Sequence, residues 1–160
     1  MALTPLAKLA ARFPEICIVV DHLGGKTDPD LSAREVATWR AQIDQIARYP
    51  NVVVKLGGAL QRERDWLPPF HNDRCPEPAS SEVLCEQLFP FFQYVIDAFG
   101  PDRCMFESNF PVDRECVSYR TLWNLFKRIA RRAGLSDDER QAVFSGTAAR
   151  VYRLPDVGSE

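Results

Sequence analysis

The stretch "CMFESNFPVD", residues 104–113, changes character halfway along its length. Its first three residues are apolar, which is typical of a strand that is covered on both faces. Glu107, Ser108 and Asn109 follow directly and bring a carboxylate, a hydroxyl and an amide side by side. Solubility does not require that order, whereas a site at the carboxyl end of a parallel strand does. The stretch therefore predicts a buried strand that ends at a functional site.

Two apolar runs of the same kind lie upstream of this stretch. "CIVVD" leads into "HLGG", and "VVVKL" leads into "GG", so a polar or glycine-rich turn follows each run. Strands that alternate with helices require crossover connections, which predict an α/β fold with a parallel sheet. The predicted strands are residues 17–21, 52–56 and 103–108.

Amphipathic helices are predicted before, between and after these strands. Thr4 is the expected N-cap of the first helix, and Ser32 begins the second with a capping box to Glu35. The third helix is expected over residues 81–99, with an interruption or kink at Pro90. Two or three helices follow the last strand, and no further strand is predicted.

The composition is ordinary for a globular protein. The chain has 160 residues, of which 46% are hydrophobic and 26% charged, and this predicts a single domain over residues 1–160. A net charge of −2 gives no reason to expect nucleic acid or membrane binding. Because there is no bilayer-spanning stretch, no signal-peptide pattern and no CxxC among the cysteines, a cytoplasmic protein is expected. A Pro-rich loop is predicted at residues 61–80, as either a functional lid or a poorly ordered segment.

The predicted strands end in side chains that carry chemistry. They are Asp21, His22, Lys55, Glu107 and Asn109. Because the carboxyl ends of parallel strands meet at one edge of a sheet, these side chains are candidates for a common site. Four of them have a structural alternative: His22 could bond to its loop backbone, Lys55 could extend into solvent, and Glu107 and Asn109 could cap the next loop, with Asn109 in a turn conformation.

Three passages together resemble one protein family. They are "LAARFPEICIVVDHLGG", "YPNVVVKLGGAL" and "FGPDRCMFESNFPVD", and the closing "GTAARVYRL" extends the match over almost the whole chain. In order and spacing they are similar to the amidohydrolase-related (amidohydrolase 2) metal-dependent hydrolases, within a group that hydrolyses lactones. A complete (β/α)8 barrel of the TIM type takes about 250 residues. The resemblance therefore implies a partial barrel in which parallel strands with flanking helices form the C-terminal portion.

The resemblance implies roles for particular residues. His22 would bind a metal or the substrate, and His71 would belong to a substrate loop. Asn109 stands where family members commonly carry the aspartate that acts as general base, and an amide is a poor proton acceptor near neutral pH. Glu107 shares a strand face with Asn109 by alternation and is the candidate to replace that base. Lys55 is a candidate for holding a substrate carboxylate.

The resemblance also implies a divalent metal, zinc, in the complete barrel. The family's His-x-His metal motif belongs on the first barrel strand, and the two histidines of this chain do not form one. Catalytic zinc usually takes three protein ligands, and His22 is the candidate for one of them. Whether the chain acts as an enzyme on its own therefore stays open at the level of sequence.

Three functions are open at this point. The first is a hydrolase that cleaves a cyclic ester (lactone) or an amide bond of a small anionic substrate. The second is a non-catalytic barrel fragment that forms a homo-oligomer or needs a complementary N-terminal segment, since three strands leave sheet edges uncovered. The third is a small doubly wound nucleotide-binding module, which the lack of a phosphate-binding glycine motif disfavours.

Overall fold

The computed structural model of the protein describes residues 3–25, 27–60 and 79–155. Helices and strands alternate through this part of the chain, which confirms the predicted α/β fold. In chain order the elements are α1 (Thr4–Arg12), β1 (Ile18–Val20), α2 (Ala33–Ala47), β2 (Val52–Leu56), α3 (Ser81–Phe99), β3 (Cys104–Phe106), α4 (Tyr119–Arg132), α5 (Asp137–Gln141) and α6 (Thr147–Tyr152).

The three strands form one parallel sheet in the order β1-β2-β3. Val20 lies opposite Val54, and Leu56 lies opposite Phe106, so the strands reach the same edge of the sheet in a staggered register. Helix α2 lies between β1 and β2 in the chain, and α3 lies between β2 and β3, as βαβ units require. The predicted parallel sheet is therefore confirmed within the described residues.

Local sequence sets the helix ends. The Glu35 N–H donates a hydrogen bond to Ser32 Oγ, and the Ser32 N–H donates one to the Glu35 carboxylate, so the predicted capping box is present. Helix α1 begins at Thr4, with Leu3 as the N-cap, which is one residue earlier than predicted. Helix α3 continues through Pro90, which lies on its exposed side, so the predicted interruption is absent.

The two faces of the sheet differ in what they contact. On the helix side, Phe106 stacks on Phe126 with 4.6 Å between ring centroids, and the ring of Phe144 lies 4.8 Å from Phe106. The alternate strand positions belong to the opposite face, where Lys55 is in register with Met105. Met105 is buried but lies outside the core cluster of the helix side. The helix side therefore holds the hydrophobic core, and the opposite face leads to the charged strand ends.

The helices and two of the cysteines can be compared with the predictions made from the sequence. No helix within the described ranges is both long and apolar enough to cross a bilayer. Cys104, predicted to be buried, is fully enclosed, and burial raises the pKa of its thiol to about 12. Cys17, also predicted to be buried, is exposed. The parallel ladder begins only at Ile18, so Cys17 precedes the strand instead of lying within it.

Candidate active site

His22 lies in a left-handed turn directly after β1. His22 and Leu23 have φ angles of 56° and 55°, a region that few L-residues adopt. The Gly24 N–H donates to the Asp21 carbonyl at 3.1 Å and closes the turn. Leu23 is fully buried, and its carbonyl accepts a hydrogen bond from the Trp39 indole N–H at 3.0 Å. Burial of Leu23 thus anchors a strained turn that leaves the His22 side chain 37% exposed.

Glu107 binds His22 from the end of β3. The Glu107 N–H donates to the Leu56 carbonyl at 3.2 Å, so the ladder continues one residue past the strand. Glu107 Oε1 lies 2.7 Å from His22 Nδ1 and accepts a second hydrogen bond from the His22 backbone N–H at 3.2 Å. An ionised carboxylate only accepts, so the neutral imidazole carries its proton on Nδ1. The lone pair of Nε2 is then available, and no described residue hydrogen-bonds to it.

The glycine pair after β2 makes room for this contact. A Cβ atom at Gly58 would lie closer than 3.0 Å to the His22 ring, and one at Gly57 would come equally close to Glu107. Real Cβ atoms essentially never approach other atoms within that distance. Gly58 also has a φ of +63°, which glycine adopts at no steric cost. The pair therefore permits a close approach between the strand ends in addition to the tight turn predicted from sequence.

Lys55 connects the ends of the three strands through its charge. Its Nζ lies 3.0 Å from Asp21 Oδ1 and 3.5 Å from Glu107 Oε2, and its side chain is 25% exposed. Burial lowers the pKa of Lys55, but the hydrogen bond with Asp21 and the charge of Glu107 outweigh that effect, so the pKa lies above its ordinary value. The ring of Tyr152 in α6 lies near this group, with its centroid 6.0 Å from Nζ. Lys55 is therefore a protonated lysine that already has partners.

Asn109 makes a different contact. Its Nδ2 donates a hydrogen bond to Asp113 Oδ1 at 2.7 Å, and Asp113 is only 1% exposed. Asn109 has a φ of 51°, in the left-handed region that asparagine tolerates better than most residues. The extended strand conformation therefore ends before Asn109. Strand alternation does not place Asn109 on the same face as Glu107, as the sequence had predicted.

The predicted site residues divide into three groups. The structure brings His22, Lys55 and Glu107 together. The His22 side chain bonds to Glu107 and not to the backbone of its own loop. Asn109 bonds to Asp113 instead. His71, together with most of the predicted Pro-rich loop, lies outside the described residues.

Sequence reasoning missed two contributors to this region. They are Tyr152 and Asp113. Asp21 was expected among the polar strand ends, and the structure pairs it with Lys55 at 3.0 Å. Asp113 lies four residues after an asparagine that follows a predicted strand, and this spacing was the available signal. Tyr152 lies almost a hundred residues from Lys55 in the chain, so no local pattern connects the two.

The described residues do not form a metal site by themselves. Within them, no group of three or more His, Cys, Asp or Glu side chains is arranged to hold a metal ion. Asp21 and Glu107 are paired with Lys55 and His22, and His22 Nε2 keeps a lone pair that could bind a metal ion. Catalytic zinc usually takes three protein ligands. The donors of the cluster therefore fall short of a catalytic zinc site.

Comparison with known proteins identifies the family. The amidohydrolase family model matches residues 1–154, so the chain belongs to the amidohydrolase family. It is 35% identical over 154 residues to an L-fucono-1,5-lactonase from Burkholderia multivorans, covering 91% of this chain and 46% of the relative. It is 34% identical over 147 residues to the uncharacterised protein y4mH from Sinorhizobium fredii, covering 92% of this chain and 42% of the relative. The resemblance to a lactonase-like group of amidohydrolases is thereby confirmed.

The comparison with solved structures supports the same family and a partial barrel. A crystal structure of an amidohydrolase from Burkholderia multivorans with bound zinc matches with a TM-score of 0.77 at 34% identity. The match covers 96% of this chain and 49% of that chain. The solved relatives are TIM barrels, and the chain spans about half their length and under half the length of the two curated relatives. The predicted fold class, a partial TIM-type barrel, is therefore confirmed.

Proposed function

We propose that the protein hydrolyses a lactone and that His22 accepts a proton from the attacking water. The observation that carries the proposal is the 2.7 Å contact between His22 Nδ1 and Glu107 Oε1, which leaves the lone pair on Nε2. The 35% identity to an L-fucono-1,5-lactonase supports the reaction class. Because the chain spans 46% of that relative, the activity is proposed for the assembly in which the site is complete.

The proposed reaction needs one proton acceptor and one group that orients it. His22 Nε2 takes a proton from water while the water oxygen attacks the lactone carbonyl. Glu107 stabilises the resulting imidazolium through the hydrogen bond at Nδ1. The tetrahedral intermediate then breaks the ring C–O bond, and the ring oxygen takes the proton back from Nε2. The product is an open hydroxy acid, and His22 is neutral again.

The charges around the proton acceptor favour an uncharged lactone. The sequence suggested that Lys55 holds a substrate carboxylate, but Asp21 and Glu107 lie 3.0 Å and 3.5 Å from its Nζ. One cation faces two carboxylates, so an anionic substrate would have to displace one of them and approach the other. We therefore infer that a lactone with hydroxyl groups, such as L-fucono-1,5-lactone, is preferred to the anionic substrate expected from the sequence.

A metal-ligand role for His22 stays a prediction. One solved relative contains zinc, and a neutral imidazole nitrogen is a common zinc ligand. The described residues supply no second and third ligand, so no step of the proposed reaction passes through a metal. The experiment below separates the two roles of His22.

The test is hydrolysis of L-fucono-1,5-lactone by the purified protein, followed as acid release and corrected for the spontaneous reaction. The H22A substitution should lower kcat by about 10²–10⁴-fold, the usual contribution of a general base. E107Q should give a smaller loss, because an amide oxygen still accepts the Nδ1 hydrogen bond but does not stabilise an imidazolium as well. E15Q, at an exposed glutamate, is the matched control and should leave turnover unchanged.

Two outcomes would contradict the role of His22 as the base. One is unchanged turnover by H22A in protein that is folded by circular dichroism. The other is loss of wild-type turnover on treatment with a chelator, with full recovery on adding zinc, which would favour the ligand role.

A non-catalytic assembly role is the second candidate function, and the sheet edges favour it. In the described part of the chain, β1 and β3 each pair only with β2. A homo-oligomer or a complementary N-terminal segment would cover those edges. Light scattering should then give a mass above the 18.2 kDa of one chain. A monodisperse monomer that unfolds cooperatively and hydrolyses lactone would count against this candidate.

A further inference from the structure

A second carboxylate lies beyond the end of β3 and has no part in the proposed reaction. Asp113 is 1% exposed, and its Oδ1 accepts a hydrogen bond from Asn109 Nδ2 at 2.7 Å. The Asp113 N–H donates to the Asn109 carbonyl at 3.1 Å. The two residues are therefore joined through both main chain and side chain.

This pairing determines which end of the Asn109 amide is held by the protein. An asparagine side chain has a donor end and an acceptor end, whereas an ionised carboxylate only accepts. Turning the amide over would bring its oxygen against Asp113 Oδ1 and leave the buried carboxylate without that donor. The NH2 group is therefore the end that Asp113 holds. The amide oxygen has no hydrogen-bond partner among the described residues.

We propose that Asp113 is a positioning residue that makes Asn109 a hydrogen-bond acceptor for a hydroxyl or N–H group of the substrate. The identity of that substrate as a lactone rests on the function proposed above. Asn109 follows Glu107, the residue that holds His22, by only two positions. An acceptor here binds a hydroxyl-bearing ring and repels a carboxylate, in agreement with the charges around Lys55.

The hydrogen bond between Asn109 and Asp113 predicts different effects for a single substitution and for an exchange of the two side chains. N109D would place two carboxylates at hydrogen-bond distance, one of them buried, so one would have to bind a proton or move away. The double substitution N109D/D113N again sets one donor against one acceptor and keeps an acceptor at position 109. N109A removes the acceptor and cannot be rescued in this way.

The first experiment measures kcat and KM for L-fucono-1,5-lactone in these variants. We expect N109D to lower kcat/KM at least about tenfold and N109D/D113N to recover to within about threefold of wild type. D113N alone should raise KM more than it lowers kcat, since it releases the orientation of the amide. N109A/D113N should not recover. Absence of rescue in N109D/D113N, or kinetics that stay at the wild-type level while only stability changes, would overturn the proposal.

A second experiment reads the amide directly and needs no turnover. In 15N-labelled protein, the Asn109 NH2 protons should exchange with solvent more slowly than those of exposed Asn124, and D113N should abolish the difference. Binding of D-glucono-1,5-lactam, a hydroxylated and non-hydrolysable probe, should weaken about tenfold in N109A and D113N. Lactam binding with these effects but without turnover would reject the proposed reaction and keep the present inference. Fast exchange in wild type, equal affinities, or no binding would contradict the inference itself.

Discussion

The helix side of the sheet and its opposite face place very different side chains on the same strands. On the helix side, Leu56 and Phe106 are buried among apolar residues, and Phe106 stacks on Phe126 at 4.6 Å. One position away, Lys55 and Glu107 are charged: Lys55 pairs with Glu107 and Asp21, and Glu107 also binds His22. Because side chains alternate along a strand, a step of one residue separates the core from the candidate site.

Stability and chemistry therefore depend on different interactions on the two faces. The helix side depends on apolar burial and close packing, whose free energy is insensitive to protonation. The opposite face depends on pairing between charged groups and on backbone that lets them approach. Substitutions on the helix side should therefore lower stability most, and those on the opposite face should show their effect in ligand binding and pH dependence.

The largest effect is expected for F106A. Removing a buried aromatic ring from a packed core costs about 3–5 kcal/mol of unfolding free energy, because the lost burial is joined by the cost of a cavity. Phe106 contacts the rings of Phe126 and Phe144, so little relaxation into the space is available. Urea denaturation followed by circular dichroism measures the change.

F13A is the matched control for that substitution. Phe13 is 38% exposed at the end of α1, so its removal should cost less than about 1 kcal/mol. Similar losses of unfolding free energy for F13A and F106A would show that packing on the helix side does not dominate stability. The proposed difference between the two faces would then be wrong.

The fold could be predicted from sequence to a large extent, because its determinants are local. Apolar runs followed by polar or glycine-rich turns indicated all three strands, and Ser32 with Glu35 indicated the start of α2. Cys17 was wrongly placed inside a strand, since an apolar run does not reveal where pairing begins. The interruption expected at Pro90 is absent, since α3 continues through that residue.

The site could be predicted only in part, because its contacts are long-range. Strand ends in a parallel sheet converge by topology, which is why His22, Lys55 and Glu107 could be grouped beforehand. The bond between His22 and Glu107 joins residues 85 positions apart, so its tautomeric consequence required the structure. The positive φ of Asn109 ended the alternation that linked it to Glu107, and an asparagine permits such an angle without requiring it.

An intermediate effect is expected for G58A on the opposite face. Alanine at a φ of +63° should cost about 1 kcal/mol from backbone strain alone. The added Cβ atom would also collide with the His22 ring, so the ring must move away from Glu107. We expect a total loss of about 2–3 kcal/mol of unfolding free energy, together with weaker binding of D-glucono-1,5-lactam, measured by denaturation and by titration.

G134A separates strain from collision in that result. Gly134 has a φ of +69°, and a Cβ atom there would meet nothing within 4 Å. It should therefore show the strain of about 1 kcal/mol without any change in lactam affinity. If G58A and G134A behaved alike, the close approach of the Gly57–Gly58 turn to His22 would have no energetic importance.

The smallest effect is expected at alkaline pH and concerns Lys55. Burial lowers its pKa, but the hydrogen bond with Asp21 and the charge of Glu107 outweigh burial, so the folded state holds the proton above the ordinary value of 10.5. The unfolded chain releases the proton near that value, so this contribution to stability is complete below pH 10.5 and is lost as the pH rises further. The unfolding free energy of K55M should therefore fall less steeply than that of wild type between about pH 9.5 and about pH 11.5. The exposed Lys8 provides the control: K8M also removes one lysine and should keep the wild-type slope. If the unfolding free energies of K55M and K8M fell equally steeply with pH, the ion pairs of Lys55 would not raise its pKa in the folded state. The opposite face would then not depend on pairing between charged groups.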